Sequence, residues 1–192
     1  PFDPQPLELS PEQQQVFNDL LPNLEDARPH AALLHGVTGS GKTIVFLRLI
    51  QRTLELGRQA LVLVPEISLT PQMIRRLKAQ FGRRVAVQHS ALNNTERLLQ
   101  WRMIQQGNAD IVVGTRSAVF APLQNLGLII MDEEQEHTYQ SESAPRFDAH
   151  DVAKKRAVME NALLLFASAT PLTETYHAAE SGKLQLGQLT HR

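Results

Sequence analysis

With 192 residues, 42% of them hydrophobic and 20% charged, the chain has ordinary globular composition and the length of about one domain with a useful core. Its formal net charge of −1 excludes a global basic field, so any nucleic-acid contact must be a local patch. It has no cysteine, which excludes a disulfide framework or a cysteine zinc site within these residues and suits a cytosolic setting, and no apolar run of about 18 residues suggests a membrane span.

In chain order, "PFDPQPLELS" has no initiator Met and no signal-peptide pattern, and its prolines predict a linker over 1–8. The chain reads as a piece of something larger, with one domain over 9–192. Residues 12–21 predict a helix with Ser10 as N-cap and Pro11 in the first turn. A short buried strand (31–35) leads to a helix (42–56) stopped by Gly57. A strand at 60–65 precedes a helix over 70–82, capped by Thr70 with Pro71 just inside. A strand at 85–89 is followed by a helix over 93–107, where Asn93 and Glu96 have capping-box spacing. Strands at 109–115 and 126–132, a helix at 147–161, a strand at 162–170 and a helix at 173–183 complete the series. Strand-like runs alternating with helical patterns predict an α/β fold built on a mostly parallel sheet.

"GVTGSGKT" (36–43) fits the G-x-x-x-x-G-K-[ST] phosphate loop, here between a strand and a helix as that chemistry requires. Gly36, Gly39 and Gly41 let the backbone curl and turn N–H groups toward phosphate, with Thr38 and Ser40 completing the loop. The helix that follows presents its positive dipole end to the same anion. Lys42 can reach the outer phosphates, and the Thr43 hydroxyl is placed for Mg²⁺. A ligand-free glycine turn has the same residue types, but not this spacing and context together.

"LIIMDEEQ" (128–135) puts Asp132 at the C-terminal end of an apolar strand, where ligands sit in open α/β sheets. Asp132 can hold Mg²⁺ opposite Thr43, and Glu133 can orient and polarise an attacking water. "SATP" (168–171) ends another buried strand. Ser168 and Thr170 can hydrogen-bond the acids or the terminal phosphate, although Thr170 before Pro171 also fits a helix N-cap.

"GVTGSGKT", "DEEQ" and "SATP", in this order, resemble motifs I, II and III of superfamily 2 helicases. "SPEQQ" (10–14) resembles their upstream glutamine motif, which would make Gln13 the adenine reader. "PEISLTPQ" (65–72) and "GTRSAVFAP" (114–122) are more specific and resemble motifs Ia and Ib of the PriA family of bacterial primosomal helicases. The resemblance runs from about Leu9 to Thr175. It implies the first RecA-like P-loop NTPase lobe of an ATP- and Mg²⁺-dependent DNA helicase acting in the bacterial cytoplasm. It also implies single-stranded and forked DNA as substrate, and primosome and single-strand-binding proteins as partners. A second lobe, a DNA-binding module and a zinc-holding cysteine-rich module would lie outside this chain. The PriA pattern D-E-E-H ends here in Gln135, which can still hydrogen-bond toward the SAT segment and couple the motifs.

The resemblance places DNA contacts at Thr115, Arg116 and Ser117, at Thr70 and the backbone N–H groups of residues 67–70, and at Tyr139, Arg146 and Phe147 in an aromatic-poor loop. Such contacts would go mostly to phosphates. A salt-bridge role for Arg116 and a packing role for Phe147 are the plainer alternatives. Arg75, Arg76 and Lys78 read as a solvated basic face. Two other functions fit less well: another superfamily 2 motor, such as a fork-reversal helicase or restriction translocase, and a nucleotide-sensing DNA-binding module without turnover.

Overall fold

The computed structural model describes residues 4–89 and 91–192; Pro1–Asp3 of the expected linker lie outside the described residues. The helices are α1 (Pro11–Glu25), α2 (Lys42–Glu55), α3 (Pro71–Phe81), α4 (Asn94–Gln105), α5 (Ala149–Glu160) and α6 (Thr173–Glu180). The strands are β1 (His30–Gly36), β2 (Gln59–Leu63), β3 (Val85–Gln88), β4 (Ile111–Gly114), β5 (Leu126–Met131), β6 (Leu163–Ser168) and β7 (Gln185–Leu189). Short 3-10 turns lie at Glu66–Ser68, Arg116–Phe120 and His137–Tyr139.

Among the described residues, the seven strands form one parallel sheet in the order β3-β4-β2-β5-β6-β1-β7. A parallel sheet needs cover on both faces, so its strands are apolar throughout rather than alternating. Every residue of β5 and β6 is buried. Leu128 and Ile130 join the core beneath α1, α2 and α3, while Ile129 and Met131 join the core beneath α4, α5 and α6. The expected RecA-like lobe with helices on both faces is the observed architecture.

The differences from expectation have local causes. α1 continues past 21 through Pro22 to Glu25. A mid-helix proline costs about 3 kcal/mol, which is offset by burying Leu20 and Leu24 on either side of it at about 1.5–3 kcal/mol each. β7 was not expected, because "QLGQL" is short and half polar; it forms because β1 offers it an open edge. The last helix stops at Glu180 rather than 183, where Gly182 turns left-handed (φ +81°) and redirects the chain into β7. The expected linker is irregular up to Ser10. It is nonetheless docked: Gln5 and Gln80 exchange hydrogen bonds of 3.2 and 3.1 Å, and Leu7 and Leu9 pack on the core.

Candidate active site

Strands β5, β6 and β1 are neighbours in the sheet, so three chemically distinct segments emerge side by side at one edge. The phosphate loop leaves β1, the acidic pair leaves β5, and "SATP" leaves β6 between them. Thr38, Gly39, Gly41, Lys42, Thr43, Asp132 and Glu133 line one open cleft of about 420 Å³.

The loop is shaped for an anion. A Cβ on Gly36 would meet Lys42 Cγ and Ser40 Oγ, each at 2.8 Å, so only glycine lets the loop close. Gly41 takes φ +79° and lies against Gln13 Nε2, which leaves no room for a side chain. Ser40 Oγ is buried with no hydrogen-bond partner among the described residues, an unusual state for a polar atom outside a ligand site. Lys42 Nζ donates to Gly36 O at 2.8 Å, so the ammonium lies folded over the loop that a phosphate would fill. Gln13 ties the loop to α1. Its Oε1 accepts from Ser10 N in the capping box, while Nε2 donates to Ser40 O at 3.0 Å.

The acids are wired to the SAT segment. Asp132 is largely buried, and burial together with the adjacent Glu133 carboxylate pushes it up to about 6, against the pull of Lys42. A cation would relieve that repulsion. Asp132 and Thr43 share the cleft, so they fit a hydrated Mg²⁺ held by few protein ligands and phosphate. Glu133 has φ +50°, a left-handed backbone uncommon outside glycine, which aims its carboxylate at the cleft edge. Gln135 Nε2 donates to Glu133 Oε2 at 2.8 Å, and Gln135 Oε1 accepts from Ser168 Oγ at 2.5 Å. Ser168 Oγ then accepts from Thr170 N at 2.8 Å. Glutamine donates and accepts at once, so it bridges the two motifs in this chain. The Thr170 side chain itself is exposed.

Glu134, which is not among the expected site residues, is fully buried. Its carboxylate accepts from Leu172 N at 2.7 Å, Thr175 Oγ1 at 3.1 Å and His150 Nε2 at 3.1 Å. His150 is held in turn by Asp148 at 2.8 Å. Burial opposes its charge, but the bonds to Glu134 and Asp148 outweigh burial and raise its pKa. Arg76 is exposed, as a solvated basic face requires, and it also lines the cleft from α3, beside Thr43 and Asp132.

The expected DNA residues divide. Tyr139 is 1% exposed, and its hydroxyl donates to Leu63 O at 3.1 Å and Asp132 O at 2.5 Å. It therefore clamps β2 to the acidic motif and is not a base platform, which corrects the sequence expectation. Thr115 is buried too and offers little surface. Of the N–H groups at 67–70, those of Ser68, Leu69 and Thr70 bond to Pro65, Glu66 and Ser68 carbonyls. The Thr70 side chain caps α3 through Met73 N. Arg116 makes no salt bridge among the described residues; it donates to Thr138 O and Gln140 O, both at 3.1 Å, and its guanidinium sits 5.9 Å from the Phe147 ring centre. Phe147 is half-buried, edge-on to Phe120 at 4.9 Å. Ser117 and Arg146 are exposed.

The DEAD/DEAH box helicase model matches residues 10–178. The chain belongs to the DEAD/DEAH box helicase family. As a helicase lobe it is an ATP-binding domain. It is 47% identical over 188 residues to the replication restart protein PriA of Bacillus subtilis (strain 168), covering 98% of this chain and 23% of that one. With PriA of Synechocystis it shares 48% identity over 171 residues, 88% of this chain and 20% of the relative. The chain thus spans about a quarter of the length of the curated relatives it matches. Among solved structures, RecG bound to a three-way DNA junction superposes with a TM-score of 0.69 at 25% identity, over 98% of this chain and 24% of RecG. The Pyrococcus furiosus Hef helicase domain shares the fold, with a TM-score of 0.61 over 93% of this chain and 39% of Hef. Among the described residues of this helicase lobe, no helix is long and apolar enough to cross a membrane.

Proposed function

We propose that this lobe binds and positions ATP for a replication-restart helicase that moves along single-stranded DNA at forks. The likeness to PriA over nearly the whole chain supports this choice over the RecG type of motor, to which identity is lower. The observation that carries the mechanism is the hydrogen-bonded path Glu133–Gln135–Ser168–Thr170 N, lying between the phosphate loop and the acidic strand.

The Gly36–Thr43 loop would hold the phosphates, with Lys42 swinging from Gly36 O onto the outer ones. Thr43 and Asp132 would hold Mg²⁺, which supplies charge neutralisation at the phosphates when bound. Glu133 would orient the attacking water, its carboxylate fixed by Gln135. Gln13 would read the adenine from a side chain that already touches the loop. Gln135, Ser168 and Thr170 would report the state of the terminal phosphate to the SAT segment, and so to a second lobe elsewhere in the protein. Arg116, Ser117 and Arg146 remain the proposed DNA contacts, with Phe147 and Thr70 acting through their packing. The primosome and single-strand-binding partners, and a zinc module elsewhere in the full-length protein, belong to the same proposal.

Gln135→Ala tests the path. In the full-length protein it should leave ATP affinity within about threefold and lower DNA-stimulated turnover by about 10-fold or more, because a carboxylate hydrogen bond of about 1.5–3 kcal/mol is lost. Unchanged turnover and unwinding would remove the path from the mechanism.

A further inference from the structure

A second cavity, apart from the nucleotide cleft, opens where β3 ends against α4. It is a groove of about 500 Å³ between Gln88 and His89 on one side, α4 on another, and Ser117 at its rim. Asn94, Arg97, Leu98 and Trp101, spaced three and four apart, form the α4 face that lines it. An α/β helix normally buries such a face on the sheet; here Ile104 alone of α4 is fully buried, and Leu98 is 48% exposed. The Gln88 side chain is buried, and its Nε2 has no hydrogen-bond partner among the described residues. An unpaired buried amide is costly unless something arrives to accept from it.

We infer that this groove is a subsite for one unpaired nucleobase of the DNA strand, stacked on Trp101 and hydrogen-bonded by Gln88 Nε2. The Trp101 indole supplies the π-face, and every base has the complementary one. Every nucleobase also carries ring or carbonyl acceptors that Gln88 could satisfy. Among the described residues the lining holds Arg97 and His89 and no carboxylate, which suits the phosphates flanking a base. Position favours a strand as the occupant: Ser117 lines both this groove and the neighbouring one formed by Thr115, Arg116 and Thr138, so a strand on the proposed DNA path reaches Trp101 without leaving the surface. The inference rests on the DNA-motor reading and adds to it a base contact set apart from the phosphate contacts.

Trp101 is the only tryptophan in the chain, so its fluorescence reports the groove directly. The chain would be titrated with a fluorescein-labelled thymidine oligonucleotide and with an abasic oligonucleotide of equal length, reading Trp101 emission and label anisotropy together. Thymidine oligonucleotide should quench Trp101, and the abasic strand should bind more weakly and leave it bright. Gln88→Ala and the uncharged Leu98→Ser should weaken thymidine-oligonucleotide binding while leaving abasic binding unchanged. Trp101→Ala, followed by anisotropy, should cost about 5- to 150-fold in affinity for the same strand. Anisotropy without quenching would overturn the groove and leave the motor reading standing. No anisotropy change would overturn the groove as well, while the motor reading is tested separately by DNA-stimulated turnover of the full-length protein. Quenching as strong by free thymidine monophosphate as by the strand would make this a mononucleotide site and overturn the strand assignment.

Discussion

Glu134→Ala should destabilise the lobe far more than the same change at Glu133 next door. Glu134 is fully buried and accepts from Leu172 N, Thr175 Oγ1 and His150 Nε2. Hydrogen bonds to a charged acceptor are worth about 1.5–3 kcal/mol each, but removing the carboxylate also removes its own desolvation. The net loss expected for breaking such a buried group is therefore about 3–5 kcal/mol. Against a typical stability of about 5–15 kcal/mol that leaves a folded but weakened chain. With a urea slope of about 1–3 kcal/mol per molar, the midpoint should fall by roughly 1–5 M. Urea denaturation followed by circular dichroism measures it. Glu133→Ala, whose carboxylate bonds among the described residues to Gln135 at the cleft edge, should shift stability by less than about 1 kcal/mol. The pH dependence has a definite sign. His150 has its folded pKa raised above the ordinary 6.5, so its pairing with Glu134 and Asp148 contributes fully below 6.5 and fades as pH rises through the raised value. The gap between wild type and Glu134→Ala should narrow from pH 6 toward pH 9. Equal effects at 133 and 134, or a gap that widens with pH, would refute the hub.

In the full-length protein, Glu133→Gln should bind ATP normally and barely hydrolyse it, since glutamine keeps the shape and loses the carboxylate that orients water; single-turnover phosphate release checks this. Arg76→Ala should weaken ATP binding without moving the urea midpoint, because Arg76 is an exposed cation lining the cleft; calorimetry with ATP-Mg²⁺ reads it. Arg116→Ala should speed hydrogen exchange in residues 137–141, whose carbonyls at 138 and 140 it holds. If Arg116 also meets a phosphate, the single-strand salt slope should fall by roughly 0.7.

The candidate cleft was legible because local chemistry writes it: glycines at fixed spacing, a lysine and hydroxyl opening a helix, an acid ending an apolar strand. The SAT segment was legible for the same reason, but its seat between the other two came only with the strand order, which no local pattern records. Tyr139 shows the opposite case. An aromatic beside charged residues in a loop looks like a ligand platform, and only the approach of β2 reveals that its hydroxyl is spent on Leu63 O and Asp132 O. Glu134 was hidden among three neighbouring acids, since its partners His150, Leu172 and Thr175 lie 16 to 41 residues away. β7 escaped because an edge strand needs only one willing neighbour, and "QLGQL" carries little hydrophobic signal of its own.

The central claim is that ATP occupies the cleft between the 36–43 loop and Asp132–Glu133, and that this lobe supplies one wall of the catalytic site. Calorimetry with ATP-Mg²⁺ on residues 1–192, paired with Lys42→Ala and a phosphate-release assay, tests it most directly. The expected result is weak binding that Lys42→Ala abolishes, with at most trace hydrolysis. The turnover is low because an opposing arginine, worth about 10³–10⁵ in rate, would come from another lobe. Binding that survives Lys42→Ala would move the nucleotide to another site, and robust DNA-stimulated turnover by these 192 residues alone would contradict the one-wall account.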